Sequence, residues 1–452
     1  MTLVEALESI RADAIKADLY FIASDELGGR DTPSPGQRVA ARFIRARLER
    51  LGWQPGAKDG YLYEWSRESV ITLDEMASSL TITHDGKEQR LEFGLDYFCS
   101  SSGVVSLERD GAATFCGTGT KADFEGKQLA GRWAVCFDSD IAWRDRDKAA
   151  RASGAIGLLV VPPADHKGES YESRFAGDVR RLRQGTSSRR SRNADDVPFP
   201  TAYLAPAAVA GLAPETWQVG AELAWTARDV RKLDKVVLEN VCGFWPGSDP
   251  ELKKDVIIVS AHYDHVGTRD GVVFNGADDN GSGTCGLMAI AEALAKHGPL
   301  PRSVMLMWVS GEEKGLWGSD AWTKNPWLPE GCRAFCDINI DMIGRNAPDK
   351  LLITPTKKHK AYNGLVKIAE RVAPLEGFPT LGSADEYWDR SDHRNFSVNL
   401  KIPVTFLFSD VHEDYHESTD DPEKIDYDKI RRVSRMVVRM LGEMQAPDVD
   451  LN

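Results

Sequence analysis

The chain has 452 residues, 42% of them hydrophobic, which is enough for one large domain or two ordinary domains with separate cores. Its net charge of −13 argues against a nucleic-acid partner, because binding to a phosphate backbone requires an excess of positive charge. Apolar runs stay well short of the roughly eighteen residues that cross a bilayer, and the seven scattered cysteines include no CxxC pair, so we expect a soluble protein without a membrane span, a disulfide framework or a thiolate metal site.

The amino-terminal residues predict helices. Apolar side chains recur every three or four positions over residues 3–22 and again over 39–51, with a turn-rich loop at 28–36 between them. The first twelve residues lack the basic segment and the following apolar segment of a signal peptide. We therefore expect a cytoplasmic protein, or a secreted or periplasmic one if a leader has been removed.

Residues 66–235 predict a β-rich unit. Short strands separated by glycine turns are predicted at 80–83, 132–137 and 157–161, with one helical segment near 144–153. A basic run at 180–192 has no interleaved aromatic residues, so we interpret it as a solvated loop.

Beyond residue 236, apolar strands alternate with helices such as the one predicted at 283–297. This alternation indicates a three-layer α/β/α domain with a mixed, largely parallel sheet, formed by residues 1–65 and 236–452 together. In such sheets, functional residues gather beyond the carboxyl ends of the strands. The strands are predicted at 256–260, 304–309, 336–340, 351–354 and 403–408.

Clusters of His, Asp and Glu stand at the ends of these strands or just before the next helix. A single histidine is more often structural than functional, and two aspartates before a helix more often form a cap. The coincidence of five clusters indicates a common site. The clusters are His262 with Asp264, residues 278–280, Glu312 with Glu313, Asp341, and His416.

Glu312 and Glu313 directly follow a buried strand. Two adjacent carboxylates are costly to ionise together in such a place, so a nearby positive charge must compensate them. A metal ion is the simplest compensator. If one carboxylate binds the cation and the other moves protons, the pair provides a Lewis acid and a general base for hydrolysis.

The mixture of imidazole and carboxylate groups favours zinc, with cobalt or manganese as substitutes. Two histidines and three carboxylates are sufficient to bind two ions that share one carboxylate, as in two-metal aminopeptidase sites. The residues alone leave open which carboxylate is shared and which of the two glutamates is the base.

Five motifs resemble the co-catalytic di-zinc aminopeptidases, a family that includes aminopeptidase Y and the secreted bacterial leucyl aminopeptidases and is related to the glutamate carboxypeptidases. The motifs are AHYDH, NGADDNGSG, SGEEKGLWGS, INIDMIGR and DYHESTDDPEKID, and the resemblance covers residues 1–65 and 236–445. It implies a bridging Asp279, a cis peptide bond between Asp279 and Asn280, and two zinc ions. The implied metal ligands are His262, Asp279, Glu313, Asp341 and His416.

The same resemblance implies roles for the remaining site residues. Glu312 would be the general base that activates a metal-bridging water, although the opposite assignment of Glu312 and Glu313 stays open. Tyr415 would donate a hydrogen bond to the oxyanion, Asp264 would orient the His262 imidazole, and Arg390 would lie near the carboxyl side of the substrate. Four further residues are interpreted as neighbours of the site rather than ligands: His265, Asp392, His393 and His412.

The middle region has a resemblance of its own. Residues 121–136 and 148–160 are similar to the protease-associated domain that is often inserted into these peptidases. We therefore expect residues 66–235 to be an inserted domain of that kind.

The most consistent interpretation is a zinc-dependent exopeptidase, specifically an aminopeptidase that removes amino-terminal residues from peptides. A carboxypeptidase or dipeptidase on the same fold stays open, since Arg390 or Arg394 could bind a free carboxylate. A glutaminyl-cyclase-like acyltransferase uses a single zinc, and a receptor-like relative lacks metal ligands, so the full ligand set disfavours both. The preferred side chain and the oligomeric state are not predicted.

Overall fold

The computed structural model describes residues 1–99, 106–163, 169–187, 199–269 and 271–451. The chain forms two compact units, one made of Met1–Trp65 and Val237–Asn452 and the other of Ser66–Val236. Three arginines of the basic run, Arg189, Arg190 and Arg192, lie outside the described residues.

The first unit contains a mixed sheet with a parallel centre. Ser303–Val309 and Arg333–Asp341 both pair in parallel with Asp255–His262, and Val404–Phe408 pairs in parallel with Arg333–Asp341. The flanking strand Leu351–Thr354 is antiparallel to its neighbour. In spatial order the strands are Leu381–Ser383, Leu351–Thr354, Val404–Phe408, Arg333–Asp341, Asp255–His262, Ser303–Val309, Leu233–Trp245 and Leu62–Leu73, with Gln54–Pro55 beside Leu233–Trp245.

Alternate residues of the central strands enter two different cores. Ile257 and Val259 belong to a core that includes residues of the helices Gly283–His297 and Tyr427–Glu443. Val256 and Ile258 belong to a second core with Trp322 and Phe396. Because successive side chains of a strand point to opposite faces, the sheet is covered on both sides, as the predicted three layers require.

The helices of this unit have clear sequence boundaries. Ser34 accepts a hydrogen bond from the Gln37 amide at the start of Pro35–Arg50, and Asp426 does the same for Lys429 at the start of Tyr427–Glu443. The α-helices are Leu3–Glu8, Ala12–Ile22, Pro35–Arg50, Gly283–His297, Trp317–Lys324, Gly364–Val372, His393–Asn395 and Tyr427–Glu443. Shorter helical turns are Asp25–Arg30, Leu252–Lys254, Ala277–Ser282, Ala373–Glu376, Asp385–Tyr387, Phe396–Leu400 and Pro422–Lys424, and Thr268–Arg269 forms a small hairpin with Val272–Val273.

The second unit has its own eight-stranded sheet and its own core. Its strands, in spatial order, are Lys87–Leu91, Ser79–His84, Glu222–Arg231, Leu107–Phe115, Trp133–Phe137, Gly157–Val161, Thr201–Leu204 and Tyr97–Phe98. Thr186–Ser187 pairs with Leu62–Leu73. The helices are Lys121–Phe124, Trp143–Ala152, Tyr171–Gln184 and Pro206–Val209, with short turns at Ala210–Leu212 and Pro214–Thr216.

The expectation of a single helical segment in this region was wrong. Tyr171–Gln184 is a helix of 14 residues whose buried side chains are Tyr171, Phe175, Val179 and Leu182. These positions recur every three or four residues and form one apolar stripe. The arginines between them and the nearby glycine and serines led the sequence analysis to assign a loop.

Among the described residues, we find no helix of sufficient length and apolar character to traverse a lipid bilayer.

Candidate metal centre

The predicted site residues lie at the carboxyl edge of the parallel strands. Asp255–His262 ends at His262, and Arg333–Asp341 ends at Asp341. Glu312 and Glu313 follow Ser303–Val309, while Tyr415 and His416 follow Val404–Phe408. Because these four strands run in the same direction, their ends meet at one edge of the sheet. Asp279 joins them from the turn Ala277–Ser282.

The first group of potential ligands is His262, Asp279 and Asp341. His262 Nε2 lies 3.2 Å from Asp341 Oδ1 and 3.3 Å from Asp279 Oδ1. All three residues are buried. Their ligand atoms are close enough to contact one ion.

The second group is His416, Glu313 and again Asp279. His416 Nε2 lies 3.1 Å from Glu313 Oε2 and 3.1 Å from Asp279 Oδ2. The two carboxylate oxygens of Asp279 therefore face different histidines, His262 through Oδ1 and His416 through Oδ2. This orientation suits a carboxylate shared by two ions.

The spacing and charge of these atoms fit bound metal ions. Zinc binds imidazole nitrogen and carboxylate oxygen at about 2.0–2.2 Å, which places neighbouring ligands of a tetrahedral ion about 3.3–3.6 Å apart. The contacts between histidine and carboxylate in both groups are 3.1–3.3 Å. Burial also raises the pKa of Asp341, and a bound cation would oppose this shift.

The turn that carries Asp279 is held by side chains from distant parts of the chain. The Asp420 carboxylate accepts hydrogen bonds from the amides of Asp278, at 3.0 Å, and Asp279, at 3.1 Å. The buried Arg30 guanidinium donates to the Asn275 carbonyl at 2.6 Å and to the Gly276 carbonyl at 2.9 Å. Neither Asp420 nor Arg30 was predicted from the sequence to act here, because no local pattern links them to this turn.

Asn280 connects the same turn to the sheet. Its side-chain oxygen accepts from the Gly283 amide at 2.8 Å and from the Met342 amide at 3.2 Å. The peptide bond between Asp279 and Asn280 is cis, as the resemblance implies.

The imidazole of His262 is oriented by the backbone of Asp264. His262 Nδ1 lies 3.2 Å from the Asp264 carbonyl oxygen, whereas the nearer carboxylate oxygen of Asp264 is 3.8 Å away. Donation from Nδ1 to this carbonyl leaves the Nε2 lone pair free for a metal. The Asp264 carboxylate instead accepts a hydrogen bond from the Glu312 amide at 3.2 Å.

Ser391 supports Asp341, a contact that the sequence analysis missed. The Ser391 hydroxyl donates to Asp341 Oδ2 at 2.8 Å, and it accepts from the Asn339 side-chain amide at 2.8 Å. This leaves Asp341 Oδ1 facing His262. A serine in a loop carries no sequence signal for such a role.

A cavity opens beside Asp279 and Asp341. Glu312, Tyr415 and Arg390 line it. Of these three, only Glu312 was predicted from its position after a strand, and the other two were predicted from the family resemblance. Burial raises the pKa of the Glu312 carboxyl well above its usual range, and it also raises that of the Tyr415 hydroxyl. The remaining lining residues are Asp279, Asp341, Met342, Tyr387, Ser391, Phe406, Phe408 and Val411.

The four residues interpreted as neighbours of the site differ in their distance from the ligand atoms. The Asp392 carboxylate accepts a hydrogen bond from the Ser319 hydroxyl, and the His393 ring stacks on Phe406 with centroids 4.8 Å apart. His412 Nε2 lies 3.3 Å from Asp278 Oδ2. His265 is the closest to the two groups, with Nδ1 at 2.9 Å from Glu313 Oε1.

Comparison with known proteins gives consistent matches. Residues 240–441 match the model of Peptidase family M28. Leupeptin-inactivating enzyme 1 of Streptomyces exfoliatus is 33% identical over 177 residues, which cover 38% of this chain and 35% of that protein. Aminopeptidase YwaD of Bacillus subtilis (strain 168) is 25% identical over 194 residues, which cover 42% of this chain and 41% of that protein. The matched segments thus span well under half of these curated relatives.

Solved structures resemble the chain over nearly its whole length. An aminopeptidase from Aneurinibacillus sp. strain AM-1 has a TM-score of 0.54 at 19% identity and covers 99% of this chain and 97% of its own. BSAP, a zinc aminopeptidase from Bacillus subtilis, has a TM-score of 0.53 at 18% identity, and the match covers 97% of this chain and 96% of BSAP. At these identities, the likeness establishes the fold.

Proposed function

Because residues 240–441 match the model of Peptidase family M28, we propose that this protein is a zinc-dependent aminopeptidase that acts on peptides. One observation carries the proposal: two histidine–carboxylate groups share Asp279 beside the cavity that Glu312 lines. The aminopeptidase names of the curated relatives agree with this function.

Five residues would hold two zinc ions. His262 and Asp341 would bind one ion, Glu313 and His416 would bind the other, and Asp279 would bridge them. When bound, the ions would polarise the scissile carbonyl and make a water easier to deprotonate. The number of ions rests on the two separate groups of ligand atoms.

Glu312 is the general base of the proposed mechanism. It lines the cavity together with Asp279 and Asp341, whereas Glu313 turns its carboxylate to His416 and His265. The raised pKa of Glu312 suits a group that accepts a proton from water and then returns it to the leaving amine. The hydrogen bond from its amide to Asp264 fixes its backbone next to His262.

Two further cavity residues would contact the substrate. The Tyr415 hydroxyl would donate a hydrogen bond to the developing oxyanion. Its ring stacks on His416 with centroids 4.0 Å apart, which holds it beside the second ligand group. Arg390 would lie on the carboxyl side of the scissile bond.

The names of the similar proteins support an aminopeptidase over a carboxypeptidase. Asp279 and Asp341 line the cavity but would be neutralised by the zinc ions, so their charge does not decide between the two activities. Arg390 also lines the cavity and could bind a free carboxylate, and the substrate panel below distinguishes the two activities.

The unit Ser66–Val236 would be a protease-associated domain inserted into the peptidase. Its support is the sequence resemblance of residues 121–136 and 148–160 together with a separate sheet and a separate core. The peptide substrate is the one partner that the proposed chemistry requires.

Metal analysis and a substrate panel test the proposed function together. The purified protein is expected to hold close to two zinc equivalents per chain, to lose hydrolysis of aminoacyl p-nitroanilides on chelation, and to regain it with zinc. Substrates with a blocked amino terminus serve as controls and should remain intact. Cleavage of the blocked substrates, or activity that is indifferent to chelation, contradicts the proposal.

A further inference from the structure

His265 lies inside the metal centre although the sequence analysis placed it outside the ligand set. Its side chain is fully buried, with a relative exposure of 0%. The surrounding loop packs tightly on the ring, since a Cβ atom at Gly276 would come within 2.4 Å of His265 Cγ. The ring is therefore confined to one place by the protein around it.

Two carboxylates that lie near His265 Nδ1 belong to predicted metal ligands. Glu313 Oε1 is 2.9 Å away and Asp279 Oδ2 is 3.8 Å away. These three residues could hold an ion between their ligand atoms. They share Asp279 and Glu313 with the group formed by His416, and the His265 and His416 rings are 5.7 Å apart, edge to face.

The short contact between His265 and Glu313 is not a satisfied hydrogen bond. Among the described residues, both ring nitrogens of His265 and Glu313 Oε1 are buried without a partner in hydrogen-bond geometry, although Nδ1 and Oε1 are only 2.9 Å apart. Buried polar groups nearly always have a partner. His265 Nδ1 and Glu313 Oε1 thus lie close together without the alignment of a hydrogen bond. Two ligands of the same cation have this arrangement.

We infer that His265 Nδ1 is a fourth protein ligand at the second metal position, together with Asp279, Glu313 and His416. The inference rests on the metal-dependent function proposed above and extends it to the difference between the two ions. Glu313 would contribute to this position from between the two histidines, with Oε1 facing His265 and Oε2 facing His416.

The two metal positions would then be unequal. The first position has three protein ligands, His262, Asp279 and Asp341, and so keeps an open site, as catalytic zinc does. The second position has four, the number found in closed zinc sites. The second ion is therefore expected to bind more tightly, and the first to exchange more readily and to offer the open site to substrate or water.

Stepwise metal binding tests this inference on the full-length protein. Zinc is titrated into the metal-free protein against a chelating indicator, and the wild type is expected to show two distinct dissociation constants. His265→Ala and His265→Gln should weaken the tighter constant by at least about 10–100-fold and leave the other unchanged. The matched control is His393→Gln, another fully buried histidine that stacks on Phe406, and it should preserve both constants.

Cobalt substitution provides a readout that does not depend on turnover. In the variants, the visible absorption of one of the two cobalt equivalents should change, because that ion loses a nitrogen ligand. Unchanged zinc constants, or an unchanged cobalt spectrum in both variants, overturn the assignment of His265. If the wild type itself binds no metal, the proposed function fails as well.

A measurement on the wild type covers the case in which the variants do not fold. In the cobalt-loaded protein, paramagnetically shifted imidazole protons should arise from three histidines: His262, His265 and His416. Shifted signals from only two histidines overturn the inference while leaving a two-metal peptidase intact.

Discussion

Adjacent residues in this chain face different partners, and Glu312 and Glu313 are the clearest case. Glu313 Oε2 contacts His416, while Glu312 lines the cavity. The two side chains diverge because they follow the end of Ser303–Val309, where the backbone leaves the sheet and turns into a loop. In the proposed mechanism, the pair would therefore combine a metal ligand and a proton acceptor in two adjacent residues.

Removing the base should separate catalysis from metal binding. Glu312→Gln preserves the size of the side chain but cannot accept a proton, so kcat is expected to fall by about 10²–10⁴-fold, with the metal content unchanged. Steady-state kinetics on an aminoacyl p-nitroanilide and metal analysis check both parts. The control Glu330→Gln lies at an exposed position and should behave as the wild type. Full turnover in Glu312→Gln would show that another group is the base.

Loss of the shared carboxylate should affect both metal positions at once. Asp279→Ala removes oxygens that face His262 and His416, so both zinc dissociation constants are expected to rise and less than one zinc equivalent to remain after dialysis. Titration with a chelating indicator measures the constants, and Asp349→Ala, at an exposed aspartate, is the control. If only one constant changed in Asp279→Ala, Asp279 would not be shared.

At the scale of elements, the turn Ala277–Ser282 is the part of the site that depends most on remote contacts. The parallel strands bring His262 and Asp341 to the sheet edge through their own hydrogen bonds. The turn has no such ladder, and Asp420 and Arg30 bind its backbone from outside. Its geometry therefore depends on side chains far away in the sequence.

Asp420 should stabilise the metal site without contacting the metal. Asp420→Ala leaves the buried amides of Asp278 and Asp279 without their acceptor, which is expected to lower the free energy of unfolding by about 2–4 kcal/mol. Zinc should also bind about 10–100-fold more weakly. Denaturant unfolding of the metal-free protein and zinc titration provide the two readouts. Asp420→Asn retains an oxygen acceptor, so its free energy of unfolding and its affinity for zinc should both fall less than in Asp420→Ala. Equal losses in the two variants would contradict this role of Asp420.

Most strands and helices of the first unit were predicted from the sequence. Strands such as Asp255–His262 and Ser303–Val309 are continuous apolar runs, which indicate burial on both faces. The antiparallel direction of Leu351–Thr354 was not predicted, because strand direction depends on how the chain returns to the sheet. The helix Tyr171–Gln184 was missed because its exposed face is so rich in arginine that the apolar stripe was overlooked.

At the scale of the whole molecule, the two units have separate cores, and all the predicted metal ligands belong to the first. The second unit contains none of them. Its contribution to the proposed peptidase is therefore expected to be separable from metal binding.

A core substitution in the second unit tests this separation. Phe175→Ala removes a buried ring that stacks on Phe98 with centroids 5.3 Å apart, and it is expected to destabilise this unit by about 3–5 kcal/mol. The zinc content should remain that of the wild type. Denaturant unfolding followed by tryptophan fluorescence and metal analysis check these outcomes, with the exposed Glu172→Ala as a control expected to unfold like the wild type. Loss of zinc in a folded Phe175→Ala protein would show that the units are coupled.

The sequence by itself determined the chemical character of this protein. Imidazole and carboxylate groups at strand ends specify the kind of ligand, and the alternation of strands and helices specifies the kind of fold, because both properties are carried by residue type and local spacing. The five motifs and the family they resemble follow from the same local information.

Only the tertiary structure decided which groups meet. It pairs His262 with Asp341 and His416 with Glu313, turns the two oxygens of Asp279 toward different histidines, and places His265 beside Glu313. It also supplies Asp420 and Ser391 from distant positions. These contacts depend on strand order and loop paths over long sequence separations, and distances of a few ångströms between remote residues are not encoded in any local pattern.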